Sequence, residues 1–249
     1  MVLKVYGTGS SGNCYLLTAG TESLLLDAGV SPAELWKDMG FAVKYVAGCL
    51  VTHEHGDHAA HAGKFAKLGI PVYASAGTIE AISEDCSLTQ FNSVRALQSF
   101  SVGNFTVMPF DAQHDASEPL GYLIRYNPTG ETVLYATDTY YLKNTFPGVH
   151  YWIVECNYVE SLVDEQADDG KLSTALRRRL MKSHMSLRRL LDMFEANDLS
   201  KTRSIALVHL SDERSDERMM VKAVKEATGI HDVYAAANGM VYAFELNPF

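Results

Sequence analysis

Three histidines and two acids crowd the six positions His53-Glu54-His55-Gly56-Asp57-His58, directly after the apolar run Gly48-Cys49-Leu50-Val51 and Thr52. Coordinating power at this density constrains the local fold. In extended chain, side chains at i and i+2 point the same way, so His53 and His55, leaving the end of a strand, converge on one metal ion while Glu54 points away. Gly56 permits a sharp turn, after which Asp57 and His58 open a helix and face a second ion close to the first. A polar loop with merely exposed histidines is the plain alternative. It is the better reading for a lone histidine and the poorer one for this spacing.

Two ions need more ligands than one loop holds, and the chain offers them at similar places, just past strand ends. His114 follows FTVMPFDAQ, Asp138 ends TVLYATD, His209 ends SIALVH and Asp27 ends SLLLD. Singly, each has a dull reading as a loop histidine, a turn cap, a core histidine or a turn acid. Together with the histidine-rich loop the coincidence is hard to sustain.

Period-two patterns predict strands over Val2–Tyr6, Asn13–Leu17, Ser23–Asp27, Gly48–Thr52, Ile70–Tyr73, Phe105–Pro109, Leu120–Tyr126, Thr132–Ala136, Trp152–Glu155, Ile205–His209, Val233–Ala235 and Met240–Glu245. Helical spacing predicts Ala33–Met39, His58–Leu68, Leu172–Lys182, Leu187–Ala196 and Asp216–Thr228. Gly7-Thr8-Gly9-Ser10-Ser11-Gly12 spells G-x-G-x-x-G, but the residues after it, Asn13–Leu17, read as a strand. A dinucleotide site needs a helix to open there, so a glycine-rich hairpin is expected instead.

The chain has 249 residues, 47% of them hydrophobic and 20% charged, with no linker-like or low-complexity tract, so one domain over 1–249 is expected. Its first residues lack the charged and apolar regions of a signal peptide, and no apolar run approaches the ~20 residues of a spanning helix; a cytoplasmic protein without membrane contact is expected. Cys14, Cys49, Cys86 and Cys156 form no C-x-x-C pair, which fits reduced, mostly buried thiols. Any metal here must therefore use histidine and carboxylate.

In order, these residues resemble the metallo-β-lactamase fold superfamily: an Asp, then His-x-His-x-Asp-His, then single His, Asp and His, matched by Asp27, His53–His58, His114, Asp138 and His209. The resemblance implies an α+β fold, a four-layer αββα sandwich, with two divalent metal ions, zinc or manganese. It implies that His53, His55 and His114 bind one ion, that Asp57, His58 and His209 bind the other, that Asp138 bridges them, and that Asp27 orients a ligand histidine or a water. GTGSSGN, LLLDAG, THEHGDH, IPVYAS, YATDT, SHMS and LVHLSDE extend the likeness to the YycJ/WalJ-type branch, which is similar to DNA-processing nucleases with exonuclease activity. The chain departs from that branch at Glu155-Cys156-Asn157-Tyr158-Val159, at Ser183-His184-Met185-Ser186-Leu187 and at Ser211-Asp212-Glu213-Arg214.

The expected reaction is phosphodiester hydrolysis, on a nucleic acid or another phosphodiester. Two ions roughly 3.5 to 4 Å apart lower the pKa of a shared water and neutralise charge on the phosphate. His184, between two helical patterns with Ser186 placed to cap the second, is a candidate to touch the scissile phosphate or protonate the leaving oxygen. Residues 171–203 hold nine Lys or Arg against three acids in a chain of net charge −9. Two readings of that segment stand: contact with phosphates, or a solvated face paired with the acidic stretch Glu155–Asp169. The same metal set also serves thioester and other acyl hydrolases and cyclic-nucleotide phosphodiesterases, and a non-catalytic binder is a third class. Oligomeric state is not written in the chain.

Overall fold

The computed structural model describes residues 1–38, 43–82 and 88–244; Met39, Cys86 and Glu245, each part of an expectation above, lie outside the described residues. The strands are β1 Val2–Gly7, β2 Cys14–Ala19, β3 Glu22–Leu26, β4 Val46–Leu50, β5 Val72–Ala74, β6 Phe91–Ser93 and β7 Phe100–Val102. They continue with β8 Phe105–Asp111, β9 Leu120–Tyr126, β10 Thr132–Ala136, β11 Tyr151–Glu155, β12 Ser204–Val208, β13 Asp232–Ala235 and β14 Val241–Ala243. The α-helices are α1 Pro32–Asp38, α2 Gly56–Ala59, α3 Ala62–Lys67, α4 Ala76–Ile82, α5 Glu160–Asp168, α6 Thr174–Ser183, α7 Leu187–Glu195 and α8 Glu217–Thr228.

The strands form two mixed sheets, in the orders β14-β1-β2-β3-β4-β5-β6 and β13-β12-β11-β10-β9-β8-β7, so the fold class is α+β. The chain groups into two compact units, the first from residues 1–110, 116–131 and Ala237 onward, the second from 111–115 and 132–236.

In the first unit β1, β2 and β3 run antiparallel, with Leu3 opposite Leu17 and Leu17 opposite Leu24, while β4, β5 and β6 follow in parallel. The glycine-rich stretch is the turn between β1 and β2, and β2 rather than a helix follows it. A backbone so arranged has no helix N-terminus to offer a pyrophosphate. Cys14, Leu25, Leu35, Cys49, Phe65 and Val72 share one buried cluster, in which the Trp36 and Phe65 rings meet edge to face with centroids 6.1 Å apart. Burial of Cys14 and Cys49 pushes both thiols well above their ordinary pKa, as it does Cys156 in the second unit.

The helix expected over His58–Leu68 is broken into α2 and α3, and the cause is tertiary. A continuous helix needs the His61 N–H to reach the Asp57 carbonyl, but His61 N–H donates to Ala28 O (2.9 Å) and Asp57 O accepts from Asn13 N (2.7 Å). The chain restarts its helix from the His61 carbonyl, which accepts from Lys64 and Phe65.

In the second unit β10 to β13 are parallel, with Leu134 opposite Trp152, Trp152 opposite Ile205 and Ile205 opposite Val233. Every residue of β11 and β12 is buried, as parallel strands covered on both faces require. Spacing predicts an apolar stripe of Leu187, Leu190, Leu191 and Phe194; helix α7 buries Leu187, Leu190 and Phe194, with Met193 buried and Leu191 only half-buried. Helix α6 starts at Thr174 rather than Leu172, because the Ser173 hydroxyl caps it by accepting from Leu176 N at 3.2 Å while Leu172 is buried beside Tyr158 and Val163. The acidic α5 was not expected from periodicity; its one buried residue is Val163.

Trp152 is fully buried between the rings of Phe146 and Phe194, and its indole N–H donates to Thr202 Oγ1 at 2.9 Å. Trp152→Ala is expected to lower unfolding stability by about 3–5 kcal/mol, read as a fall in the urea midpoint. A midpoint equal to that of the parent would contradict the packing described.

Candidate functional site

The first unit collects five of the expected residues at the exits of β3 and β4 and in α2. Asp27 follows β3 with φ 61° and no exposed surface. Its carboxylate accepts from Thr52 N at 2.8 Å and from Thr52 Oγ1 at 3.0 and 3.1 Å, and lies 2.7 Å from His58 Nδ1. Because the Thr52 hydroxyl donates to Asp27, it accepts from His53 Nδ1, 3.0 Å away. One carboxylate thus orients two imidazoles, His58 directly and His53 through Thr52. With Nδ1 protonated in both rings, Nε2 carries the lone pair that a metal ion uses.

The strand-exit geometry follows the alternation expected of it. His53 Nε2 lies 3.1 Å from His55 Nδ1, with the rings 4.7 Å apart, and His53 also lies against His58 at 4.3 Å between centroids. Glu54 turns aside, its Oε1 accepting from Ser117 N and Oγ at 2.7 and 2.8 Å. Half-buried Asp57 brings Oδ2 to 3.4 Å from His58 Nε2.

Asn13, unremarked by the sequence argument, belongs to this group. It is fully buried, its Nδ2 lies 3.1 Å from His58 Nε2, and its Oδ1 accepts from Gly9 N and the Tyr15 hydroxyl. The signal available was an amide closing a glycine-rich turn. Backbone bonds staple the three loops together: Asn13 N to Asp57 O, Ala28 N to His58 O and Gly29 N to Asn13 O. At Gly29 a Cβ would land on the Asp57 carbonyl and 2.6 Å from Asn13 N. Gly29→Ala is therefore expected to cost about 1–3 kcal/mol through backbone displacement, and thermal unfolding of the variant checks it.

The second unit holds the other expected residues. Asp138, past the end of β10, has φ 47°, and His209, past β12, has φ 55°. With Asp27, these make three of the four described non-glycine residues at positive φ, Leu97 being the other. Side chains resist that conformation, so its concentration at strand exits marks backbone held against local preference. Asp138 Oδ2 lies 3.6 Å from His114 Nε2 and its Oδ1 lies 3.5 Å from His209 Nε2. His114 Nδ1–H donates to Ser183 O at 2.8 Å, which again leaves the lone pair on Nε2. Burial holds the His114 pKa below its ordinary value, against the pull of Asp138 and the Ser183 carbonyl.

His184 is the C-terminal cap of α6, and Ser186 caps α7 by accepting from Arg189 N at 3.3 Å. Its partner is Glu155, a second residue the sequence argument did not place. Glu155 ends β11 with no exposed surface; its Oε1 lies 2.6 Å from His184 Nδ1 and 3.4 Å from His209 Nδ1, while Oε2 accepts from Thr139 N and Met185 N. The signal was present: a charged residue at the exit of an apolar strand, as at Asp27. Burial opposes charge on both partners, but the pairing outweighs it. The Glu155 carboxyl is held below the usual carboxylate range and the His184 imidazole is raised above its ordinary value. Asp138, Glu155, His184 and His209 each offer a ligand atom within 4.8 Å of the others.

Imidazole and carboxylate donors of this kind, with the second ring nitrogens of His53, His58, His114 and His209 already engaged, suit divalent cations of the zinc to manganese range. Glu155→Gln keeps the shape and removes the charge that holds the His184 proton. In metal-free protein the His184 pKa is expected to fall, measured by imidazole 15N NMR, and an unmoved titration would break the pairing argument.

The model of the beta-lactamase superfamily domain matches residues 23–210. The chain is 29% identical to the exodeoxyribonuclease YycJ of Bacillus anthracis, over 98% of this chain and 93% of that protein. It is 24% identical to the exodeoxyribonuclease WalJ of Streptococcus pneumoniae, over 98% and 92%. Among solved structures, the metallo-beta-lactamase fold protein YhfI from Bacillus subtilis is similar with a TM-score of 0.72 and 20% identity, over 97% of this chain and 98% of that one. That likeness shows the expected αββα sandwich fold. Among the described residues no helix is long and apolar enough to cross a membrane.

Proposed function

We propose that this chain, which belongs to the β-lactamase superfamily, is a metal-dependent phosphodiesterase that degrades DNA, with residues 1–249 acting as one catalytic domain. His53, His55 and His114 would hold one divalent cation and Asp57, His58 and His209 a second, with Asp138 available to either, zinc or manganese being suited to the donor set. When bound, the two cations supply Lewis acidity toward the phosphate and make a water acidic enough to act as nucleophile near neutral pH.

The chain's own residues supply the order. Asp27 fixes the tautomer and direction of His58, and through Thr52 those of His53, so both imidazoles meet a cation without rearrangement. Glu155 keeps a proton on His184 Nδ1. Because the same pairing raises the His184 pKa, the ring also takes a proton on Nε2, and this imidazolium can donate it to a phosphate oxygen or to the departing oxygen. The observation that carries the substrate class is the likeness to exodeoxyribonucleases over 98% of the chain, end to end rather than in one motif.

The deciding experiment is digestion of end-labelled DNA and RNA by purified, metal-loaded protein, with a chelator and Asp138→Asn as controls. Asn tolerates the left-handed backbone at 138, so the variant removes charge with little strain. DNA cleavage lost in both controls is expected. A metal-loaded parent that cuts neither polymer would sink the proposal and direct attention to cyclic nucleotides and thioesters. Asp27→Asn, equally compatible with its backbone, is expected to weaken metal affinity by about 10–100-fold in competition with a chromophoric chelator. Parent-like affinity would remove Asp27 from its orienting role.

A further inference from the structure

The nine cations of residues 171–203 do not behave alike. Lys171 pairs with Asp169 at 2.8 Å, Arg177 with Asp164 at 2.5 Å, Arg179 with Asp115 at 3.3 Å and Arg188 with Glu160 at 3.7 Å. For these the solvated, acid-paired face describes the structure. Arg178 and Lys182 are different: both are exposed on α6, and neither forms an ion pair with another described residue.

They line a 370 Å³ cleft with Thr174, Arg177, Met181 and Arg189, and no acidic or aromatic residue joins them. Arg178 and Lys182 stand at i and i+4, one above the other on the same helix face, a spacing at which like charges repel. Arg189 enters from α7 and is held in place, donating to Met181 O at 2.6 Å with its guanidinium 5.2 Å from the Tyr140 ring centroid. The result is a concentration of positive charge in a concave site, in a chain of net charge −9.

We infer that the cleft lined by Arg178, Lys182 and Arg189 on α6 and α7 binds phosphates along a nucleic-acid strand; the inference rests on the nuclease reading and extends it to a polymer-holding subsite. Its position fits that use. Helix α6 ends at His184, so the helical rise sets Lys182 about 3 Å and Arg178 about 9 Å back along the axis. The two residues are thus spaced about 6 Å along the helix axis, near two nucleotide rises of about 3.4 Å, within reach of phosphates along one strand. The cleft thus lies within about two turns of His184 along α6. With no aromatic lining the cleft, bases have nothing to stack on, and recognition is of the backbone and independent of sequence.

The test is the salt dependence of binding, followed by fluorescence anisotropy with labelled single-stranded DNA and an RNA of the same sequence, between about 50 and 200 mM salt. The parent is compared with Arg178→Gln/Lys182→Gln and with the control Lys171→Gln/Arg188→Gln, which removes two cations outside the cleft. All four side chains are exposed, and unchanged thermal midpoints verify folding. A single-strand phosphate contact contributes about 0.7 to the slope of log affinity against log salt, so the cleft variant is expected to lose about 1.4 with both polymers. The control keeps the parental slope. A cleft variant with the parental slope, a control that loses as much, or a parent that binds neither polymer overturns the inference. Cleft-dependent binding by a parent that cleaves nothing would instead defeat the nuclease reading and leave the subsite standing. Cleavage with a slope indifferent to Arg178 and Lys182 would do the reverse.

Discussion

A carboxylate taken wholly out of water is stable only if donors replace its hydration, and the first unit is arranged around one that has them. Asp27 has no exposed surface and draws on Thr52 N, Thr52 Oγ1 and His58 Nδ1. Those donors lie at the exit of β4 and in α2, so satisfying Asp27 ties the ends of two neighbouring parallel strands to the histidine-rich loop. The packing around it is equally specific. The DAG turn leaves Gly29 against the Asp57 carbonyl, and the glycine-rich turn supplies Asn13 to the same carbonyl. What reads in the sequence as three separate motifs is one hydrogen-bonded assembly.

The second unit repeats the physical solution with different residues. Glu155, equally buried, ends a strand, accepts two backbone N–H groups and faces two imidazoles, His184 and His209. Each unit therefore orients two of its histidines from one buried carboxylate rather than by packing alone, which fixes ring tautomers as well as ring positions. The left-handed backbone at Asp27, Asp138 and His209 belongs to the same economy of placement. Each residue leaves a buried strand and must turn its side chain sharply at once, a geometry local preference disfavours and surrounding structure imposes.

Local signals were legible where local physics decides. Period-two runs located most of the buried strands, and the Leu187, Leu190 and Phe194 spacing located the buried face of α7. The hydroxyl of Ser186 sets the start of α7 by a bond within one turn, as its place before the helical pattern predicts; Ser173 does the same for α6, two residues past the start that spacing suggests. The strand-exit rule also points to Asp27, His114, Asp138 and His209. Applied without exception it would have found Glu155, which ends the buried run of β11.

What the sequence determined by itself is the kind of residue delivered to each strand end, since alternation and strand length are properties of the local chain. Tertiary structure alone decided the partners. The break between α2 and α3 follows from bonds to Ala28 and Asn13, dozens of positions away. The involvement of Asn13 depends on a hairpin meeting His58. Which of nine basic residues are neutralised depends on acids as distant in sequence as Asp115 is from Arg179. Hydrogen bonds and ion pairs act over a few ångströms of space and are indifferent to separation along the chain, so no reading of spacing alone assigns them.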